Sequence, residues 1–167
     1  QPYSPAAGTG LSSHELNQPG CYRDVKDTTV VAQFKMKNPK PEMAQWGTPY
    51  FLAWTTTPWT LPSNVALCVN PNEEYAKVKA ADGYTYYMAE ALLDTVLGRL
   101  AEEGKDAYEI LETYKGTDLE GKEYEPLYQC AADEAAKQHK KAFYVTCDGY
   151  VTLTDGTGIV HIAPAFG

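Results

Sequence analysis

The chain has 167 residues, of which 44% are hydrophobic and 12% aromatic, enough to close one sizeable core and too few for two ordinary domains. Its formal net charge of −8 argues against a stand-alone nucleic-acid binder, because neutralisation of phosphates by Lys and Arg dominates such affinity; if RNA is bound, other parts must hold it. No apolar run approaches a membrane span, the N-terminus lacks the basic and apolar regions of a signal peptide, and Cys21, Cys68, Cys130 and Cys147 show neither Cys-x-x-Cys spacing nor a nearby metal-spaced histidine, so reduced thiols, no metal site and a soluble cytoplasmic location are expected. Residues 1–20, broken by Pro2, Pro5, Gly8, Gly10, Pro19 and Gly20, read as a lead-in segment, with the domain proper over 21–167. Val30, Ala32, Phe34 and Met36 then alternate with Val31, Gln33, Lys35 and Lys37, a strand with one buried face. A loop over 38–47 leads into a second strand from Tyr50, and Val65 to Val69 is a short apolar strand. Tyr75–Ala80 and Tyr84–Met88 flank Asp82-Gly83, a hairpin signal. From Ala89 the period changes: Leu92, Val96 and Leu100 share a helical stripe with Leu93 and Leu97, which reads as core, and Gly104 is placed to end the helix. Tyr108 to Tyr114 alternate again before a turn over Gly116–Gly121, a second helix is expected over Ala131–Lys141, and three short strands follow at Phe143–Cys147, Tyr150–Leu153 and Ile159–Ala163. Many short strands with two helices predict an α+β fold, mainly β, with a β-barrel core and peripheral helices. The lysine groups Lys35, Lys37, Lys40 and Lys137, Lys140, Lys141 read as solvated charge.

Two stretches carry chemistry. In Trp54-Thr55-Thr56-Thr57-Pro58-Trp59-Thr60-Leu61-Pro62-Ser63-Asn64 a β-branched strand is stopped by two prolines, so four threonine hydroxyls, indoles and an amide leave the sheet together. Such a corner is uncharged and offers donors and acceptors in the same groups, which suits a polar ligand made of ribose, ester and a small apolar side chain; by composition alone such a strand end is more often just an exposed strand face with β-propensity. In Gly156-Thr157-Gly158-Ile159-Val160-His161-Ile162-Ala163-Pro164 the glycines are turn formers and not a phosphate loop. His161, on one strand face with Ile159 and Ala163, reads by pattern as a core histidine with one hydrogen bond.

The string Thr55-Thr56-Thr57-Pro58-Trp59-Thr60-Leu61-Pro62-Ser63-Asn64 resembles the threonine-rich peptide of the editing (CP1) domain of isoleucyl-tRNA synthetases; the valyl and leucyl enzymes carry Arg-Pro in place of Thr57-Pro58. The block Gly156 to Pro164 is similar to the second signature of that domain, in the right order. Tyr3-Ser4-Pro5, Leu11 to Leu16 and Tyr124-Glu125-Pro126-Leu127 extend the resemblance over essentially the whole chain. The resemblance implies a single editing domain of the valyl, isoleucyl and leucyl type, inserted into a Rossmann-type catalytic domain. The HIGH and KMSKS signatures of that catalytic domain are absent here, so a piece of a larger enzyme is expected, without cofactor of its own and unable to activate an amino acid with the ATP and Mg of its parent.

The function so implied is hydrolysis of mischarged Val-tRNA(Ile), and of valyl-adenylate as a second candidate, with the valine-carrying 3′ end of tRNA(Ile) and the rest of the synthetase as partners, and a monomer as the expected state. Valine lacks one methylene of isoleucine, a difference worth about 1–3 kcal/mol, a figure known from isoleucyl enzymes themselves and not worked out from this chain. A second site that excludes the larger side chain supplies the missing discrimination. Aminoacyl esters are activated by their ammonium group, so a positioned water and oriented dipoles suffice without a Ser-His-Asp set. Thr55, Thr56, Thr57 and Asn64 are the catalytic candidates, with Thr60 also orienting ribose, ester or water. By resemblance Trp54 and His161 wall the side-chain pocket, His161 blocking isoleucine, while Trp59 either stacks or packs. In the family an aspartate beyond Ala163-Pro164 holds the α-ammonium; these residues end at Gly167 before reaching it, so weak activity of the piece alone is expected. The alternative is a non-catalytic insertion that docks the tRNA acceptor end or another synthetase domain.

Overall fold

A computed structural model describes residues 2–102 and 104–164; the remaining residues, including 165–167 at the end of the second signature, lie outside the described set. Among the described residues there are ten strands: β1 Tyr3–Ser4, β2 Thr9–Gly10, β3 Val30–Lys35, β4 Tyr50–Thr55, β5 Ala66–Val69, β6 Glu74–Ala80, β7 Thr85–Ala89, β8 Tyr108–Lys115, β9 Tyr144–Cys147 and β10 Ile159–Ile162. The α-helices are short: α1 Ser13–Leu16, α2 Leu93–Leu97, α3 Gly116–Leu119 and α4 Gln129–Lys137.

Period-2 patterning builds the larger sheet. In β3 and just beyond it Ala32, Phe34 and Met36 are buried while Gln33 is exposed, and β4 pairs antiparallel with it from Val30↔Thr55 to Lys35↔Tyr50. The sheet runs β3-β4-β7-β6-β8, with β4 and β7 parallel and the β6–β7 hairpin closed at Asp82-Gly83, where Gly83 takes φ +88°. The smaller sheet runs β10-β5-β9. Its central strand β5 is buried at every residue, as a strand covered on both faces must be. Phe34, Phe51, Tyr75, Tyr87, Leu67 and Tyr124 anchor the core between the elements. A third, two-stranded ribbon pairs β1 with β2 outside that core.

The strands do not close into one hydrogen-bonded barrel among the described residues; they form separate sheets. Strand β10 packs beside β4, but the junction with the larger sheet is made by isolated bonds in place of a ladder, among them one from the Tyr75 hydroxyl to the Gly158 carbonyl at 2.7 Å. Thr157 Oγ1 accepts from the Trp54 amide at 3.3 Å, and the Thr157 carbonyl accepts from the Ala89 amide at 2.9 Å. The expected helix after Ala89 is broken into a 3₁₀ turn Glu90–Leu92, α2 and a second 3₁₀ turn Gly98–Leu100, although Leu92, Leu93 and Leu97 are core as their spacing predicts. Helix α4 begins two residues before the expected Ala131 and ends at Lys137. Tyr150–Leu153 is not a strand; Val151 is buried and its carbonyl is taken by the Asn70 side chain at 2.8 Å, which satisfies it without a sheet partner. All four cysteines are free thiols.

Candidate functional site

Strand β4 ends at Thr55, paired with the first residue of β3, and Pro58, which could donate to no further ladder, opens a 3₁₀ segment, Pro58–Ser63. The turn is fixed from inside by its own threonines. Thr55 Oγ1 accepts the Thr57 amide at 3.1 Å, and Thr60 Oγ1 donates to the Thr57 carbonyl at 2.8 Å. The Thr57 hydroxyl lies 3.4 Å from those of both Thr55 and Thr60. Thr55 and Thr60 are buried, Thr57 is half-buried and Thr56 exposed. Among the described residues the Thr56 hydroxyl makes no hydrogen bond within the chain, so it and Thr57 are the hydroxyls left for a ligand, while Thr55 and Thr60 hold the turn in shape.

The antiparallel pairing of β10 with β5, His161↔Leu67, brings the second signature to the first. His161 Nε2 lies 3.0 Å from Thr60 Oγ1. Because the Thr60 proton is given to the Thr57 carbonyl, the imidazole is the donor, as the Nε2–H tautomer, and Nδ1 is left as a buried lone pair without a partner among the described residues. Burial holds the histidine below its ordinary value of 6.5, and a proton on Nδ1 would have no acceptor, so the ring is neutral at pH 7. A hydroxyl–imidazole contact of this length resembles half of a nucleophile–base pair. It lacks the third group that would orient the ring, and the hydroxyl proton points away from the imidazole, so it is not built as a nucleophile.

Trp54, Thr55, Thr56, Thr57, Thr60, Val160, His161 and Ala163 line one cavity of about 250 Å³. Its lining offers methyl groups, an indole, an imidazole and hydroxyls, and among the described residues no ionisable side chain other than the histidine. Every one of these residues falls in the two singled-out stretches. Val160 and Ala163 were not expected as walls, although their adjacency to His161 on β10 is the signal that could have shown it. A second cavity of about 230 Å³, lined among others by Thr152, Asp155 and Thr157, adjoins the first through Trp54 and Val160.

Two expected members are elsewhere. Asn64 is 2% exposed; its Nδ2 donates to the Ala66 carbonyl at 2.9 Å and its Oδ1 accepts from the Tyr124 hydroxyl at 2.6 Å. Both ends of the amide are used inside the core, so it ties β5 to Tyr124 and does not reach the cavity. Trp59 is 67% exposed and points to solvent from the 3₁₀ turn, outside the cavity wall.

The glycines of the second signature have a role their turn-forming reading misses. Gly156 has φ +78°, and a Cβ there would stand 2.8 Å from Trp54 Cε3; Gly158 has φ +72°, and a Cβ there would stand 2.4 Å from Ala89 Cβ. Only hydrogen at both places lets Thr157 reach the Trp54 amide, so Gly-Thr-Gly clamps the end of β10 onto the strand that carries the threonines.

Comparison with known proteins gives the same picture. No family model matches the chain. It is 57% identical over 188 residues to the isoleucine–tRNA ligase of Bacteroides thetaiotaomicron, a match covering 100% of this chain and 16% of that protein. The isoleucine–tRNA ligase of Clostridium acetobutylicum is 49% identical over 166 residues, covering 99% of this chain and 14% of its own length. The chain thus spans about one-sixth of the curated relatives it matches. Among solved structures, the crystal structure of GlLeuRS-CP1 aligns with TM-score 0.59 and 17% identity over 80% of this chain and 52% of that one. The cytosolic leucyl-tRNA synthetase editing domain of P. knowlesi aligns with TM-score 0.58 and 17% identity, over 81% of this chain and 58% of that one. Over its whole length the chain is homologous to one segment of the isoleucyl-tRNA synthetase family, and that segment folds as a CP1 editing domain.

Proposed function

We propose that this segment edits mischarged tRNA for its synthetase, hydrolysing the ester of Val-tRNA(Ile), with valyl-adenylate as a second substrate. The observation that supports this reading best is the neutral cavity in which the threonine turn meets His161, Thr60 Oγ1 lying 3.0 Å from the imidazole Nε2. At about 250 Å³ it is smaller than pockets that enclose whole small ligands, so it takes the aminoacyl end. The adjoining cavity beyond Trp54 is in reach of the nucleoside that follows.

In this reading the branched side chain sits against Trp54, Val160, Ala163 and His161. The ring of His161 is held by Thr60 and cannot swing away without breaking that bond, so the extra methylene of isoleucine meets a fixed wall. The ester lies at the rim, where the Thr56 and Thr57 hydroxyls orient the attacking water and the carbonyl. Developing oxyanion charge is met by donors already in place, which is where such sites gain most of their rate. A neutral imidazole also leaves the substrate ammonium unopposed by a like charge.

The test is deacylation of Val-tRNA(Ile) by a full-length isoleucyl-tRNA synthetase carrying this segment. Replacing Thr56 and Thr57 together by Val keeps the shape and removes the two available hydroxyls; kcat should fall on the order of 10²-fold, and Val-tRNA should accumulate. A loss of tRNA affinity with kcat unchanged would instead identify a docking insert and overturn the editing assignment.

A further inference from the structure

Lys37, Lys40 and Lys122 line a cavity of about 220 Å³. Lys37 and its neighbour Glu123 also line a second cavity of about 330 Å³, which reaches Lys140. Lys140, with Lys141, lines a third of about 490 Å³ between α4 and the 3₁₀ turn, ending at Pro62, Ser63 and Pro164. Shared lining residues set the three side by side on this part of the surface, the last two on either flank of α4, and together they make a lysine-lined furrow. Its far end abuts the candidate site, since Pro62 and Ser63 follow Thr60 within the same 3₁₀ segment and Pro164 follows the cavity residue Ala163.

The charge along this furrow is opposite to that of the molecule. The chain carries a net −8, yet five lysines line the furrow against two carboxylates, Glu123 and Glu134. Among the described residues none of the five is in an ion pair, whereas Glu134 is matched by Lys137 at 3.6 Å. Lys122 is half-buried, and its ammonium meets only the Met43 sulfur at 3.8 Å among the described residues. Its own burial, and after it the charge of Lys40, lower its pKa against the smaller opposing pull of Asp118 and Glu42. A cation held at such a cost beside a second cation is what an anion site needs before its anion arrives.

We infer that the lysine furrow carries the phosphodiester backbone of the tRNA acceptor end to the threonine–histidine cavity. This rests on the editing assignment for its partner, but on different residues. Several phosphates are needed to neutralise lysines spread over three adjoining cavities, which a polynucleotide supplies and a single free phosphate does not. The two lysine clusters, far apart in sequence, become one track only because the Met36↔Tyr124 bridge and the packing of α4 on the 3₁₀ turn bring them together.

The experiment measures binding of uncharged tRNA(Ile) to the full-length synthetase at several salt concentrations, comparing wild type with the quadruple variant K37Q/K40Q/K140Q/K141Q, whose four positions are all exposed, and separately with K122Q. The quadruple variant should bind at least tenfold more weakly, with a slope of log affinity against log salt shallower by about 0.7–0.9 for each phosphate no longer neutralised. K105Q, off the furrow and paired with Glu102, serves as the reference and should not change the slope. In deacylation the quadruple variant should raise KM and keep kcat. A slope equal to that of K105Q overturns the inference. So does loss of inorganic pyrophosphate binding with the tRNA slope unchanged, which would assign the furrow to a free phosphate. Failure of the editing assignment is distinguishable, because the threonine variants would then leave deacylation intact while the tRNA slope still responded to the lysines.

Discussion

Replacing His161 by alanine separates the steric role of the ring from its structural one. The imidazole makes one hydrogen bond, from Nε2 to Thr60 Oγ1 at 3.0 Å. Thr60 keeps its own donated bond to the Thr57 carbonyl, and because it lines the cavity its freed lone pair can be met by water. The structural cost is therefore about 1 kcal/mol, the net worth of one such bond, and the threonine turn should survive. The selectivity effect is larger. If the ring is the wall that excludes isoleucine, removing it relieves an overpacking penalty of about 1–3 kcal/mol, which is roughly 5- to 150-fold in rate. The assay is single-turnover deacylation of Ile-tRNA(Ile) and Val-tRNA(Ile) by the full-length enzyme, and the quantity read is the ratio of the two rates. The His161→Ala enzyme should hydrolyse correctly charged tRNA faster by that factor, with valine hydrolysis changed much less. A His161→Gln enzyme, which keeps bulk and a donor, should sit near wild type. A variant that retains its fold and shows an unchanged ratio would refute the steric wall.

Asn64→Ala should lower stability by about 2–4 kcal/mol, since it strands the buried Tyr124 hydroxyl and removes two hydrogen bonds. In a domain of this size that is a fall in Tm of roughly 2–4 °C per kcal/mol, read by thermal denaturation, while deacylation by the folded fraction at low temperature should be unchanged; a loss of kcat without loss of stability would return Asn64 to the catalytic set. Gly156→Ala forces a positive φ on a residue with a Cβ and drives that atom into Trp54, costing about 2–4 kcal/mol; Trp54 should be displaced, and valine deacylation should fall together with Tm. For pH, His161 is held below its ordinary 6.5 by burial, so as pH falls through 6.5 the unfolded chain takes up a proton that the folded one still refuses, and stability drops. Urea midpoints should show the wild type losing stability relative to His161→Gln as pH falls from about 7 to about 5.5, with a constant difference between the two above about pH 7; equal pH dependence of the two would show that the ring is not held neutral.

The local pattern was enough to locate most of the strands. Alternation placed Phe34 and Met36 inside and Gln33 outside, because a half-covered strand permits no other register, and Asp82-Gly83 marked its hairpin because only glycine takes φ +88° there at no strain. Of the stripe Leu92, Leu93, Val96, Leu97 and Leu100, the first, second and fourth are core and Val96 and Leu100 are half-buried against it; spacing reports which side is buried and not whether short 3₁₀ segments interrupt the helix. Tyr150–Leu153 carried strand propensity and became loop, because propensity describes a residue that fits a pleated surface and a neighbouring strand must still be there to pair with it.

The threonine peptide and the Gly-Thr-Gly-x-Val-His block could be singled out from the sequence because each breaks the ordinary strand rules with prolines, glycines or a polar residue between apolar ones. Their identities also determined the chemistry on offer, hydroxyl and imidazole with no carboxylate. Which of those hydroxyls the turn itself engages, that Asn64 belongs to the core and Trp59 to the surface, and that Thr157 joins the two sheets were decided by tertiary structure alone. So was the meeting of two lysine clusters in one furrow on an acidic molecule. The reason is common to all of them: a polar group is spent on whichever partner the fold brings within about 3 Å, and residues far apart along the chain give no local sign of who that partner will be.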